Sequence, residues 1–283
     1  MAKSRMRFET ALRVGERKAR ELGGGKLPID PVAIAEGRGI VVSPKPTSEP
    51  GVSGFLMKSG DAFGIMYATD IDNDGRKRFT VAHELGHYFL DGHPAHLFAT
   101  GDGVHASRSG FITRDPYELE ADYFATGLLM PSHLFVPAME DAGEGFAAVE
   151  SLASLCRTSL TATAIRYAEC SEYPVAAVVS DRERVAFCAM SDCIRSHKEI
   201  EWLTKGSVVA QGTATFKFNQ DSASIARGAR AQAWTTLDQW FDGAPELQMK
   251  EDVVGLGGYG KTLTVLFTDE PLEDDDELEE DEE

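Results

Sequence analysis

The stretch RFTVAHELGHYFLDGH, residues 78–93, constrains this 283-residue chain more than any other. It holds three of the seven histidines, and His83, Glu84 and His87 spell H-E-x-x-H. Phe79, Ala82, Gly86 and Phe89 recur at three- and four-residue steps, which predicts a helix over residues 76–90. Side chains four apart on a helix share a face one turn apart, so the His83 and His87 rings can meet one metal ion. Glu84 can then reach a water beside that ion, as a general base must. Gly86 leaves room for another backbone to approach the helix.

A catalytic zinc site takes three protein ligands and keeps one position open. Two segments offer the third ligand. His93 stands six residues after His87, the spacing of the last ligand in H-E-x-x-H-x-x-G-x-x-H sites. Those sites turn the chain at a glycine three residues after the second histidine. Here that position is Leu90, which favours helix, and Gly92 follows two residues late. His93 is therefore expected to be carried past the metal.

The stronger candidate lies in YELEADYFA, residues 117–125. Glu118 and Asp122 are four apart on a predicted helix and face one way. Glu118, from a second helix packed across the first, is the favoured third ligand. Asp122 can accept a hydrogen bond from the free N–H of a ligand histidine and so fix its tautomer. Glu118 also fits a capping box with Asp115. Glu120 projects about 160° away from Glu118 and is expected to face solvent. The group that stabilises a transition state stays open among Tyr117, Tyr123, His105 and His93. The strand-like AFGIMY, residues 62–67, is expected to offer an edge along which a substrate lies extended.

Three other motifs carry weaker chemistry. GLGGYGKT, residues 255–262, satisfies a phosphate-loop pattern. The alternating, β-branched TLTVLFT follows it where a helix is required, so a hairpin turn is expected and no nucleotide. DIDNDG, residues 70–75, opens like a calcium loop, but its twelfth place is Val81 instead of glutamate, so a polar turn is expected. Cys188, Cys193 and His197 lack a fourth metal ligand, and the four cysteines read as thiols of a reducing compartment.

The net charge of −18 is unevenly spread: twelve acidic residues and no basic one lie between Asp269 and Glu283. Setting those twelve aside leaves −6, and the run itself is expected to be disordered. No apolar run reaches the ~20 residues of a membrane span, and the first residues lack the apolar core of a secretory signal. The expectation is a cytoplasmic protein with no membrane partner.

Further along, GFAAVESLASLCRTSLTATAIRYAEC, residues 145–170, predicts two helices around a Ser/Thr-rich turn, like a helix-turn-helix. Its second helix has Arg166 as its sole basic residue, so direct DNA binding is not expected. Residues 93–110 read as a long polar loop. The segments 173–180, 184–190, 207–218 and 261–268 read as strands, and 224–241 as helix. The expected fold class is α+β, divided as a domain bearing the histidine motif (1–140), a helical segment (141–170), a β-rich sensor or substrate-recognition region (171–268) and the acidic tail (269–283).

KRFTVAHELGHYFL and ELEADYFATGLLMP, with LPIDPVAIAEGRGI ahead of them, resemble the ImmA/IrrE family of bacterial metallopeptidases over residues ~10–140. The resemblance implies a gluzincin-type zinc fold with His83, His87 and Glu118 as Zn2+ ligands and Glu84 as base. It also implies a protein substrate. Members typically cleave a partner helix-turn-helix repressor encoded beside them, relieving stress, mobile-element or toxin–antitoxin genes. The alternative is a regulator that binds a repressor or DNA without cutting, its metal structural.

Overall fold

The computed structural model describes residues 2–46, 51–69, 73–108 and 115–272. Asp70, Ile71 and Asp72 of the calcium-like stretch and residues 273–283 of the acidic run lie outside them. The described residues form a mixed α/β protein with two sheets. The chain divides into two units, Met1–Asp141 with Leu152–Ser159, and Ala142–Ser151 with Leu160–Glu283.

The first unit opens with α1 (Ala2–Leu22) and α2 (Pro31–Glu36). Asp30 caps α2 by accepting from the backbone N–H groups of Val32 and Ala33, with Pro31 preset for the first turn. Then come β1 (Val41–Lys45), β2 (Gly54–Ser59) and β3 (Ala62–Ala68). The histidine helix α3 spans Asp74–Phe89 and is capped by the Asn73 side chain. After it lie α4 (His93–Leu97), β4 (Gly103–Ser107), α5 (Pro116–Leu129) and α6 (Ser132–Ala142).

The sheet order is β1-β3-β2-β4, with β1 parallel to β3 and the other pairs antiparallel. Two expectations change here. Part of the supposed loop after His93 is the strand β4, because Gly103–Ser107 pairs with β2 and draws its order from that partner. The AFGIMY strand is interior, flanked by β1 and β2, so it offers no edge; β4 ends the sheet.

Helices α1 and α5 cross at glycine. A Cβ on Gly15 would overlap the Phe124 carbonyl oxygen, and one on Gly127 would overlap that of Leu12. Ala11 and Ala19, one turn to either side of Gly15, are buried in the same stripe. Small side chains thus let two backbones approach more closely than larger ones would allow. At Gly86 a Cβ would stand 3.0 Å from Ala121 Cα, so α3 and α5 also approach closely.

Helix α7 (Gly145–Cys156) has its residues from Leu152 onward in the first unit, and α8 (Leu160–Cys170) begins the rest of the second. The two predicted helices are therefore present, and Arg166 on α8 is buried. Cys156 is fully buried, which pushes its thiol up to about 12.

In the second unit, β5 (Val175–Asp181) and β6 (Arg184–Met190) form the expected hairpin. Short helices follow at α9 (Asp192–Ser196), α10 (Ala214–Asn219) and α11 (Ser222–Ala226). The chain then forms β7 (Arg230–Thr236), α12 (Leu237–Trp240), β8 (Gln248–Gly255) and β9 (Thr262–Phe267). The antiparallel order is β6-β5-β9-β8-β7, over a core including Val178, Ile194, Trp240, Phe241 and Leu266. GLGGYGKT turns the chain from β8 to β9, with one 3-10 turn at Gly257–Tyr259 and Gly260 at φ 64°.

Two expectations for this unit are corrected, and one strand is added. Residues 207–218 hold one isolated bridge and then α10, because Thr213 and the buried carboxylate of Glu251 accept the free N–H groups at its start. Residues 230–236, expected as helix, are an edge strand paired to β8. Strand β8 itself was not expected, because Lys250, Glu251 and Asp252 interrupt its apolar pattern. Asp252 accepts from Phe146 N–H and Gln232 Nε2, so both buried acids are satisfied.

Candidate metal centre

The spacing that put His83 and His87 on one face of α3 brings their Nε2 atoms to 3.1 Å. Across from them, α5 presents Glu118, with Oε1 3.2 Å from His87 Nε2 and Oε2 3.5 Å from His83 Nε2. Among the described residues this trio forms the one group of three or more His, Cys, Asp or Glu side chains whose donor atoms converge, all lying within 4.8 Å of one another. All three residues are buried.

Each of the three donors is held from behind. The Nδ1–H of His83 donates to Asp122 Oδ1 at 2.8 Å, one turn beyond Glu118 on α5 and fully buried. The Nδ1 atom of His87 lies 3.0 Å from His93 Nδ1, and His93 Nε2–H donates to Glu120 Oε2 at 3.0 Å. Glu118 is fixed from β4: His105 Nε2–H donates to its Oε1 at 2.8 Å, and Arg108 N–H to its Oε2 at 3.0 Å.

Two sequence expectations fail at this point. Glu120 is buried instead of solvent-facing, because α1 covers that side of α5 and Arg7 pairs with its carboxylate at 2.6 Å. His93 is not carried past the site. Helix α3 ends at Phe89, Leu90 is extended, and Gly92 at φ 83° swings His93 back behind His87. The late glycine still turns the chain, but to the far side of a ligand.

The donor set fits a metal ion. With each Nδ1 committed to a partner behind the ring, Nε2 is the atom that faces Glu118. Two such nitrogens 3.1 Å apart can be joined only by a shared proton or a cation. The field points the same way. Burial opposes charge on His83, yet the Asp122 hydrogen bond and charge, with Glu118 and Glu84, push it up to about 10. Burial takes His87 the other way, down to about 3. Burial would raise Glu118, but His105, His83 and His87 hold it far below the usual carboxylate range.

Glu84 stands apart. It is fully buried, and neither carboxylate oxygen has a hydrogen-bond partner among the described residues. Burial pushes it up to about 7, against the pull of the His83 charge. Its place depends on Gly54 of β2, where a Cβ would stand 2.6 Å from Glu84 Oε1. Such an acid holds or releases a proton near neutral pH. Of the four candidate stabilising groups, His105 hydrogen-bonds Glu118. Tyr117 stacks on His96 at 3.9 Å, Tyr123 stacks on Phe8, and His93 sits behind His87.

Residues 35–167 match the family model described as the IrrE N-terminal-like domain, Peptidase_M78. That stretch belongs to the ImmA/IrrE family. The IrrE-like segment begins within α2, contains α3 and α5 with all three converging donors, and runs on into α8. Its family is one of metallopeptidases, in keeping with the donor set. Helix α1, which supplies Arg7, lies ahead of it. Among solved structures, a Mycobacterium tuberculosis transcriptional regulator matches over 91% of this chain and 76% of its own, with a TM-score of 0.57 and 14% identity. At that identity the likeness is one of fold. No curated protein matches the chain. No helix among the described residues is long and apolar enough to cross a membrane.

Proposed function

We propose that the chain is a zinc endopeptidase with a zincin-like catalytic unit, whose substrate is a partner helix-turn-helix repressor. The observation that carries this reading is the unpartnered carboxylate of Glu84 beside the converging donors of His83, His87 and Glu118. A structural metal would need a fourth ligand and no free acid; three ligands with a base alongside is the arrangement of hydrolysis. Zinc bound there would polarise the scissile carbonyl and acidify a water.

The protein's own groups supply the remainder. Glu84 takes the proton from the attacking water and returns it to the leaving nitrogen, a task suited to a carboxyl group poised near neutrality. Asp122 and His93 keep the two imidazoles aimed. His105, half-buried on the sheet-end strand β4, is the donor best placed to steady charge growing on the carbonyl oxygen. β4, in place of the interior AFGIMY strand, offers backbone groups to an extended peptide.

The repressor as substrate is supported by the family to which residues 35–167 belong, and the matching fold of a transcriptional regulator accords with it. The test is co-incubation of the zinc-loaded chain with a helix-turn-helix repressor sought among its neighbouring reading frames, read by mass spectrometry. Glu84→Gln should lower cleavage by about 10²–10⁴-fold while zinc stays bound. Cleavage by Glu84→Gln at the wild-type rate would refute the peptidase mechanism. Tight, zinc-dependent binding with no cleavage by wild type would support the non-cleaving regulator instead.

A further inference from the structure

The side of His87 turned away from the donors is held by groups that no H-E-x-x-H pattern includes. Starting at the far end, Arg7 of α1 donates through Nε to Glu120 Oε1 at 2.6 Å and through Nη2 to Oε2 at 3.0 Å. Glu120, a carboxylate, can only accept from His93, which puts the His93 proton on Nε2. A neutral His93 then has a bare Nδ1, and that atom can only accept. The partner 3.0 Å away, His87 Nδ1, must therefore be the donor. The tautomer of His87 follows step by step from the Glu120 carboxylate, which Arg7 on the first helix pairs with, and its Nε2 is left free for a metal ion. His93 and the Glu120 side chain are almost wholly buried, so water does not compete for the bond between them, whereas the Arg7 side chain at the outer end is 48% exposed.

We infer that His93, Glu120 and Arg7 form a chain of positioning residues that fixes the tautomer and aim of His87, so that α1 sets how tightly the site holds its ion. This inference rests on the reading of His83, His87 and Glu118 as metal ligands. It adds a determinant lying outside the IrrE-like segment, since Arg7 precedes residue 35. Tyr117 closes over the chain: the Arg7 guanidinium lies 5.6 Å from its ring centroid, and the His93 ring meets it edge-on. The α1–α5 crossing at Gly15 and Gly127 keeps Arg7 within reach of Glu120.

The experiment is a zinc titration of the full-length chain against a chromophoric chelator, with folding followed by circular dichroism. His93→Leu and His93→Gln fill similar space, but only glutamine keeps an acceptor for His87 Nδ1–H. His93→Leu should bind zinc about 10–100-fold more weakly, as loss of an outer-shell partner does, and His93→Gln should recover most of that loss. Glu120→Gln and Arg7→Met should fall between wild type and His93→Leu. In the zinc-loaded wild type, long-range proton–nitrogen correlations should show His87 protonated at Nδ1.

Equal affinity of His93→Leu and His93→Gln would overturn the inference, since packing alone would then explain His93. So would Glu120→Gln binding as wild type does. The metal reading is checked separately by His87→Ala, which should abolish zinc binding. If His87→Ala binds zinc like wild type, the site itself has been misassigned, whatever the His93 variants do.

Discussion

His83 is the residue where support from behind is most complete. Its Nδ1–H meets a fully buried Asp122 carboxylate at 2.8 Å, and that contact together with Glu118 and Glu84 outweighs the penalty of burial. Replacing Asp122 with Asn keeps the shape but removes the charge, and leaves an amide free to present N–H toward the ring. Asp122→Asn should weaken zinc binding about 10–100-fold, read by chelator competition with the fold intact. Affinity unchanged from wild type would mean that Asp122 serves packing only. The geometry of His83, His87, Glu118 and Asp122 was legible in the sequence because all four obey one rule, a four-residue step on a helix. Glu120 was misjudged by that same rule. A helical wheel gives the direction of a side chain, not what covers it, and the cover here is a helix more than a hundred positions earlier. His93 was misplaced because the turn depends on Gly92 adopting φ 83°, two residues beyond where the familiar pattern puts its glycine.

Among the elements, the α1–α5 crossing matters most to the site, since it places Arg7 against Glu120. A side chain at Gly127 would meet the Leu12 carbonyl oxygen and, at 3.1 Å, Glu16 N. Gly127→Val should cost about 1–3 kcal/mol of stability, measured by urea unfolding, because the two backbones must separate to admit it. An unchanged midpoint would show that the crossing is looser than the glycines imply. Elements with strong local signals, such as α2 with Asp30 and Pro31 or the β5–β6 hairpin, were readable in advance. Those made by a distant partner were not. β4 is a strand because β2 pairs with it, and α10 is a helix because Glu251, thirty-six residues away, accepts the Thr215 N–H. β8 was hidden by its own charges, which are spent on the starts of α10 and α7.

For the whole molecule, every group that holds the candidate ion, or holds a ligand of it, lies in the first unit. Zinc binding should therefore stabilise that unit by mass action, about 4 kcal/mol at a thousandfold excess over Kd. Hydrogen exchange followed by mass spectrometry should show slower exchange in α3 and α5 on adding zinc, and little change in the β5–β9 sheet. Equal slowing in both units would place the ion's influence well beyond its ligands.

The Arg7–Glu120 pair spans 113 positions. A nascent chain leaving the ribosome thus exposes its first helix long before the segment that bears Glu118 and Glu120 exists. No complete grip on an ion is available until about residue 122 has emerged. Metal binding at such a site would follow the assembly of the unit instead of seeding it, the reverse of a small zinc-nucleated module.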